Sequence, residues 1–187
     1  MVTRWGAADL LLVLLVGLTV GCAKIDTVLP DAWDRSEGRN EVGGIERASG
    51  RVAPDFDLVL FSGDELKLSD LKGNVVVLNF WASYCVPCRW EMPAFEAVWK
   101  EYRDRGVVFV GIAVGDTEEA AAVFADEVGV SYSLGSDEDG GITVKYRVAE
   151  LPTTFIIDRD GNEVRRFNVA NEAVLRLYLD GQIRGGS

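Results

Sequence analysis

The chain has 187 residues, 48% of them hydrophobic and 26% charged. That is an ordinary globular balance, enough for one domain with a real core plus an appended segment. The formal net charge of −11 argues against a nucleic-acid partner, which needs clustered Lys and Arg, and the absence of histidine removes the commonest metal ligand and the commonest general base.

In chain order, the first signal is the apolar run Leu10–Val20, preceded by Arg4 as the only positive side chain and bounded by Asp9. The run is too short for the ~20 apolar residues of a comfortable membrane span and suits the apolar region of a secretory signal. It ends in "LTVGC", which resembles the cleavage box of bacterial lipoproteins and makes Cys22 the expected lipid attachment site. Thr19 departs from that pattern, where an aliphatic residue is usual. An ordinary cleaved signal, or an uncleaved anchor borrowing Thr3–Ala8, are the alternatives. All three export the chain to an oxidising compartment of the cell envelope, on the extracytoplasmic face of a membrane. Residues 1–21 are therefore expected to be a signal peptide. Residues 22–52, with mixed charge, Gly and Ser and no apolar period, read as a flexible tether.

A domain is expected over residues 53–187. "FDLVLFSGDELKLSDLKGN" alternates apolar and polar residues around Ser62–Gly63–Asp64 and predicts an N-terminal hairpin. "VVVLNFW" (75–81) is a continuous apolar run, as in a strand buried on both faces. A helix from about Cys85 to Arg103 and a second buried strand, "VVFVGIAV" (107–114), complete a right-handed βαβ unit. Asp116, with Glu119 three residues later, reads as the cap of a helix running to about Val128. "VSYSL" predicts a short strand and "GGITVKYRV" a short helix. "TTFIID–RDGN–EVRRFNV" predicts a hairpin turning at Asp160–Gly161, and a last helix begins near Asn171. Two acidic stretches, from Asp137 and from Asp158, are turns rather than calcium loops: the twelfth positions are Val148 and Val169, not glutamate. Trp99 and Tyr102 fall on an apolar helix stripe and read as core.

The chemistry is concentrated in "FWASYCVPCRWEMP" (80–93). Zinc needs four ligands, and the only other cysteine is the distant Cys22. A disulfide across so small a loop removes little chain entropy, so a structural staple is a poor reading. A redox couple remains. Cys85 follows a buried strand after a short turn and opens a helix, where unpaired N–H groups and the positive dipole end favour thiolate over thiol. Cys85 is thus the expected nucleophile. Cys88, one turn on, is the expected resolving thiol. Pro87 suits a first helical turn, where no N–H is needed. Trp81, Tyr84, Val86 and Trp90 are expected to surround Cys85 with apolar surface for docking a polypeptide, with simple core packing as the alternative for some of them.

"VVVLNFWASYCVPCRWEMPAFEAVW", "SDLKGN" and "LPTTFIIDRDGN" together resemble the TlpA/ResA group of membrane-tethered thioredoxin-family thiol–disulfide oxidoreductases, within the redoxin (AhpC/TSA-like) superfamily, over about Ala53 to Asp180. The resemblance implies an α/β, thioredoxin-like fold: a central mixed sheet flanked by helices, with an extra segment from about Asp116 to Val148. It also implies a cis Leu151–Pro152 bond facing the cysteines, with Leu151 and Pro152 beside the substrate. Asn79 stands where thioredoxins proper carry a buried carboxylate, and the resemblance passes the proton-handling role to Glu91. An exposed Glu91 with no such role is the alternative. Tyr84 stands where the group commonly has Trp, and Pro93 is shared with it.

The expected protein is an exported, tethered thiol–disulfide oxidoreductase acting mainly as a reductase of protein disulfides. Apocytochrome c is a family-implied substrate. A membrane thiol donor of the DsbD/CcdA type is the implied partner, with a monomeric chain, no metal, and no cofactor beyond the Cys85–Cys88 disulfide. The rivals are a thiol peroxidase, for which Val77 and Leu78 stand where its proline would fall, and a copper carrier, which would need wider cysteine spacing and histidine. An inert binding lipoprotein is the third.

Overall fold

The structure, a computed structural model, describes residues 45–47 and 50–185. The expected signal segment, Cys22 and most of the tether lie outside the described residues. Among the described residues no helix is long and apolar enough to cross a membrane.

Among the described residues eight strands and four α-helices follow one another: β1 (Ile45–Arg47), β2 (Asp57–Val59), β3 (Glu65–Lys67), β4 (Val75–Trp81), α1 (Val86–Tyr102), β5 (Val107–Val114), α2 (Glu118–Val128), β6 (Ser133–Asp137), α3 (Gly141–Lys145), β7 (Thr153–Ile157), β8 (Glu163–Phe167) and α4 (Glu172–Gly185). Six of the strands form a mixed sheet in the order β1-β8-β7-β4-β5-β6, and β2 and β3 form the separate N-terminal hairpin. β4, β5 and β6 run parallel, while β7 is antiparallel to β4 and to β8. This is the expected thioredoxin-like arrangement, a central mixed sheet flanked by helices.

β4 is buried along its whole length, because both faces of the sheet are covered there. Val75, Val77 and Trp81 pack under α1, α2 and α4, against Met92, Phe95, Phe124 and Leu175. Val76, Leu78 and Phe80 face the other way, toward Phe56, Leu58, Ile142 and Tyr146. Burial of a side chain such as Met92 or Phe95 contributes about 2 to 3 kcal/mol. The buried positions of α1 (Cys88, Glu91, Met92, Phe95, Glu96, Val98 and Tyr102) recur at intervals of one to four residues, one face of a 3.6-residue period. α1 continues through Pro93.

Three expectations change. The strand predicted in "VSYSL" lies further on, at Ser133–Asp137. The ordered fold also begins before Ala53. β1 pairs with β8, Val52 bridges Asn162, and the Glu163 N–H donates to the Arg51 carbonyl. Strand pairing uses backbone groups, so a segment with no apolar period can still complete a sheet edge. Finally, α2 is capped by Thr117, whose hydroxyl accepts the Ala120 N–H at 3.2 Å. Asp116 is engaged elsewhere.

Candidate active site

The Ala82–Tyr84 turn carries the chain from the end of β4 into α1. It closes through the Cys85 N–H, which donates to the Ala82 carbonyl at 3.1 Å. Cys85 is the N-cap of α1 and Pro87 lies in the first turn, where its missing N–H costs nothing. The cap is made by sulfur: Cys85 Sγ accepts the Cys88 N–H at 3.3 Å. Cys85 and Cys88 are joined in a disulfide, with Cα atoms 5.3 Å apart. Cys85 is 7% exposed and Cys88 0%, so of the two residues only Cys85 reaches the surface. A negative charge on Cys85 Sγ sits on an unpaired helix N–H and at the positive end of the helix dipole.

One turn beyond Cys88 on α1 lies Glu91, 4% exposed. Its Oε2 accepts the Ala170 N–H at 2.7 Å and its Oε1 accepts Asn79 Nδ2 at 3.0 Å. Asn79 Nδ2 also donates to Thr154 Oγ1 at 3.0 Å. β4 and the loop before α4 thus converge on one carboxyl, and β7 holds the Asn79 amide from the other side. Burial pushes the Glu91 pKa up, and the two N–H donors only partly offset it, leaving a value of about 7. A carboxyl that titrates near neutrality can take or give a proton at working pH. Glu91 is buried, where the alternative had it exposed. Asn79 is the partner that sequence reasoning did not assign: it was read only as a missing acid. Its role rests on contacts 12 and 75 residues away, which no local spacing reveals.

The Leu151–Pro152 bond is cis, Pro152 is buried and Leu151 is half-buried. Around the sulfurs, Tyr84 (67% exposed), Val86 and Trp90 (74% exposed) present apolar surface, and Pro87 is also exposed. Val169 adds to this exposed set, next to the Ala170 that holds Glu91. Trp81 does not belong to this surface, contrary to expectation. It is fully buried and stacks on Phe124 with ring centroids 5.3 Å apart. The cause lies at Gly111 in β5: a Cβ there would stand 2.9 Å from Trp81 Nε1 and 2.5 Å from Leu134 Cδ2, so glycine lets the indole sink into the core. Trp81 therefore belongs to the core.

A groove of 440 Å³ runs beside the turn, lined by Ser83, Arg89, Thr117, Val123, Phe124 and Glu127 among others. Arg89 lies over the Phe124 ring at 4.6 Å and pairs with Glu127 at 3.1 Å. A smaller cavity of 170 Å³ lies elsewhere, lined by Val52, Leu68, Val76 and Ile157. Among the described residues no group of three or more His, Cys, Asp or Glu side chains could hold a metal ion.

Comparison with known proteins agrees with this geometry. Residues 49–166 match the AhpC/TSA family. The thioredoxin-like protein YneN of Bacillus subtilis (strain 168) is 38% identical over 165 residues, covering 86% of this chain and 87% of that protein. The thiol–disulfide oxidoreductase ResA of Bacillus thuringiensis (strain Al Hakam) is 35% identical over 117 residues, 63% of this chain and 68% of that protein. Among solved structures, a thioredoxin-family thiol:disulfide interchange protein from Chlorobium tepidum TLS superposes with a TM-score of 0.66 at 26% identity, over 74% of this chain and 99% of that one. A secreted Mycobacterium tuberculosis disulfide oxidoreductase homologous to DsbE gives 0.59 at 27% identity, over 70% and 95%. With the family matching more than half of the chain and these relatives alongside, the chain is a member of the AhpC/TSA family and one of its thioredoxin-like thiol–disulfide oxidoreductases.

Proposed function

We propose that the protein is an exported, membrane-tethered reductase of protein disulfides that works through Cys85 and Cys88. The observation that carries this reading is the sulfur N-cap: Cys85 Sγ accepts a helix N–H, with a buried carboxyl of near-neutral pKa further along the same helix. In the reduced protein the Cys85 thiolate attacks one sulfur of a substrate disulfide. The substrate S–S bond breaks, a mixed disulfide to Cys85 forms, and the departing substrate sulfur leaves as a thiolate that takes up a proton. Cys88 then passes its proton to the Glu91 carboxylate and attacks Cys85 Sγ. The mixed disulfide breaks and the second substrate thiol departs. Two electrons have moved from the cysteine pair to the substrate, and the Cys85–Cys88 disulfide remains.

Tyr84, Val86, Pro87 and Leu151 bear on the substrate, and Pro152 holds the backbone facing the sulfurs extended so that a substrate strand can pair with it. The apolar run ending at Cys22 supports export and lipid tethering of the chain to the cell envelope. A membrane thiol carrier of the DsbD/CcdA type returns electrons to the pair. Apocytochrome c, whose haem-attachment thiols must be free, fits as substrate.

Two measurements test this. Cys88→Ser should accumulate a mixed disulfide at Cys85, and Cys85→Ser should lose turnover of a model disulfide altogether; turnover that survives in Cys85→Ser sinks the proposal. The reduction potential of the full chain against glutathione should fall toward the reducing end of the range of roughly −270 to −120 mV spanned by related couples. A value at the oxidising end would replace reductase by oxidase.

A further inference from the structure

The turn that aims Cys85 is held from outside its own element. The Ser83 N–H donates to Asp116 Oδ2 at 2.6 Å, and the Tyr84 hydroxyl donates to the Val114 carbonyl at 3.2 Å. Both acceptors lie at the corner where β5 ends and α2 begins. That corner is itself fixed: Ser136 Oγ donates to the Asp116 carbonyl at 3.1 Å, and Thr117 caps α2. Asp116 thus places a carboxylate against the backbone two residues before the attacking sulfur.

We propose that Asp116 is a positioning residue that also holds the Cys85–Cys88 couple toward its reducing end, by opposing the Cys85 thiolate. The inference rests on Cys85 being the attacking sulfur. The Asp116 carboxylate, 2.6 Å from the Ser83 N, lies within about 10 Å of the sulfur two residues on, by chain dimensions. At the edge of the protein that separation changes the thiolate fraction by about three- to tenfold. The thiolate belongs to the reduced state alone, so an opposing charge raises the free energy of that state and makes the couple a stronger reductant.

The neighbouring charges do not cancel it. Arg89 is the one Lys or Arg between residues 73 and 99, and it is paired with Glu127. Glu119 lines the same groove on α2, Glu91 lies buried on α1, and Glu150 precedes Leu151–Pro152 and is bonded to Asn168. Helix α1 favours the thiolate through its N–H groups, and Asp116 works against it through space. The two together set the acidity of Cys85.

Asp116→Asn separates charge from geometry, because the amide oxygen still accepts the Ser83 N–H. Reduced wild-type protein and the variant are compared by iodoacetamide trapping of Cys85 across pH 5 to 10 and by equilibrium with glutathione. The expected result is a Cys85 titration midpoint lower by about half to one unit. Above the Cys85 midpoint, where the reduced protein is mostly thiolate, the glutathione equilibrium should move about three- to tenfold toward the reduced protein, a tenfold shift being about 30 mV. The gap between the two proteins should narrow as salt rises from 0.01 to 1 M. Asp116→Ala should show the same acidity shift and also slower exchange, because the Ser83 N–H loses its acceptor. Identical midpoints and equilibria in wild type and Asp116→Asn overturn the proposal, as does a gap that salt leaves unchanged. Failure of the parent reading looks different: in wild type itself, Cys88 would be trapped before Cys85.

Discussion

The start and the middle of α1 each bury one carboxyl, and the two behave in opposite ways. Glu96, like Glu91, is almost fully covered. It accepts the Ser131 N–H at 2.8 Å, the Ser131 hydroxyl at 2.7 Å and Lys100 Nζ at 2.9 Å. Burial pushes its pKa upward, but these donors and the ammonium outweigh burial and hold it below the ordinary glutamate range. Glu91 has two uncharged N–H donors and no cation, so burial wins. A carboxyl answered by charge becomes a brace, here joining α1 to the loop before β6. A carboxyl answered only by neutral dipoles remains titratable at working pH, which is what a proton carrier needs.

The largest expected effect that sharpens this contrast is on rate. Glu91→Gln should slow disulfide exchange by about 100-fold at pH 7, the scale of a lost acid–base group, and remove the inflection near pH 7. Glu96→Gln should stay within about twofold of wild type. Stopped-flow exchange with a model disulfide from pH 5 to 9 measures both, and an unchanged profile in Glu91→Gln would make the contrast empty.

Stability should follow next. The folded Glu91 binds its proton more tightly than the unfolded chain does. Its contribution is therefore most favourable below pH 4.5 and declines as pH rises to about 7, by about 3 kcal/mol in total. Glu91→Gln should abolish that decline in urea titrations taken every half pH unit. Glu96 has the reverse sign. Its lowered pKa stabilises the fold above the ordinary glutamate value, and the gain is lost as pH falls through the folded value. Glu96→Gln should thus cost about 2 kcal/mol at pH 7 and much less near pH 3. The smallest effect is expected from Ser131→Ala, about 1 kcal/mol for a lost hydroxyl donor, with exchange rates untouched. A rate change there would tie the brace to the chemistry and blur the distinction.

The layout of the domain was legible from residue patterns because it depends on them. The apolar run 75–81 is continuous because β4 is covered on both faces, and the turn at Asp160–Gly161 sits between two strands that pair directly. Within the site, the spacing of Cys85 and Cys88 and the start of α1 could be read the same way. Trp81 could not. Whether an aromatic residue beside a cysteine lies on the surface or beneath it was decided by the missing side chain of Gly111, thirty residues later on the neighbouring strand. Asp116 was read as a helix cap because Asp before Glu119 fits that pattern. Thr117, one residue on, took the cap and left the carboxylate free for Ser83. β1 joins the sheet through backbone pairing with β8, which leaves no trace in composition.

What the order of residues determined by itself is local: a nucleophile at a helix start, a second thiol one turn away, and strands whose burial shows in their apolar runs. These follow from periodicity, caps and backbone preferences, which act over a few residues. What only the tertiary structure decided is electrostatic. Glu91 is near neutral pKa because β4 and the loop before α4 enclose it without a cation, and Asp116 faces the Cys85 turn because β5 ends beside it. Burial and charge depend on neighbours brought together from distant parts of the chain, and spacing along the chain does not encode them.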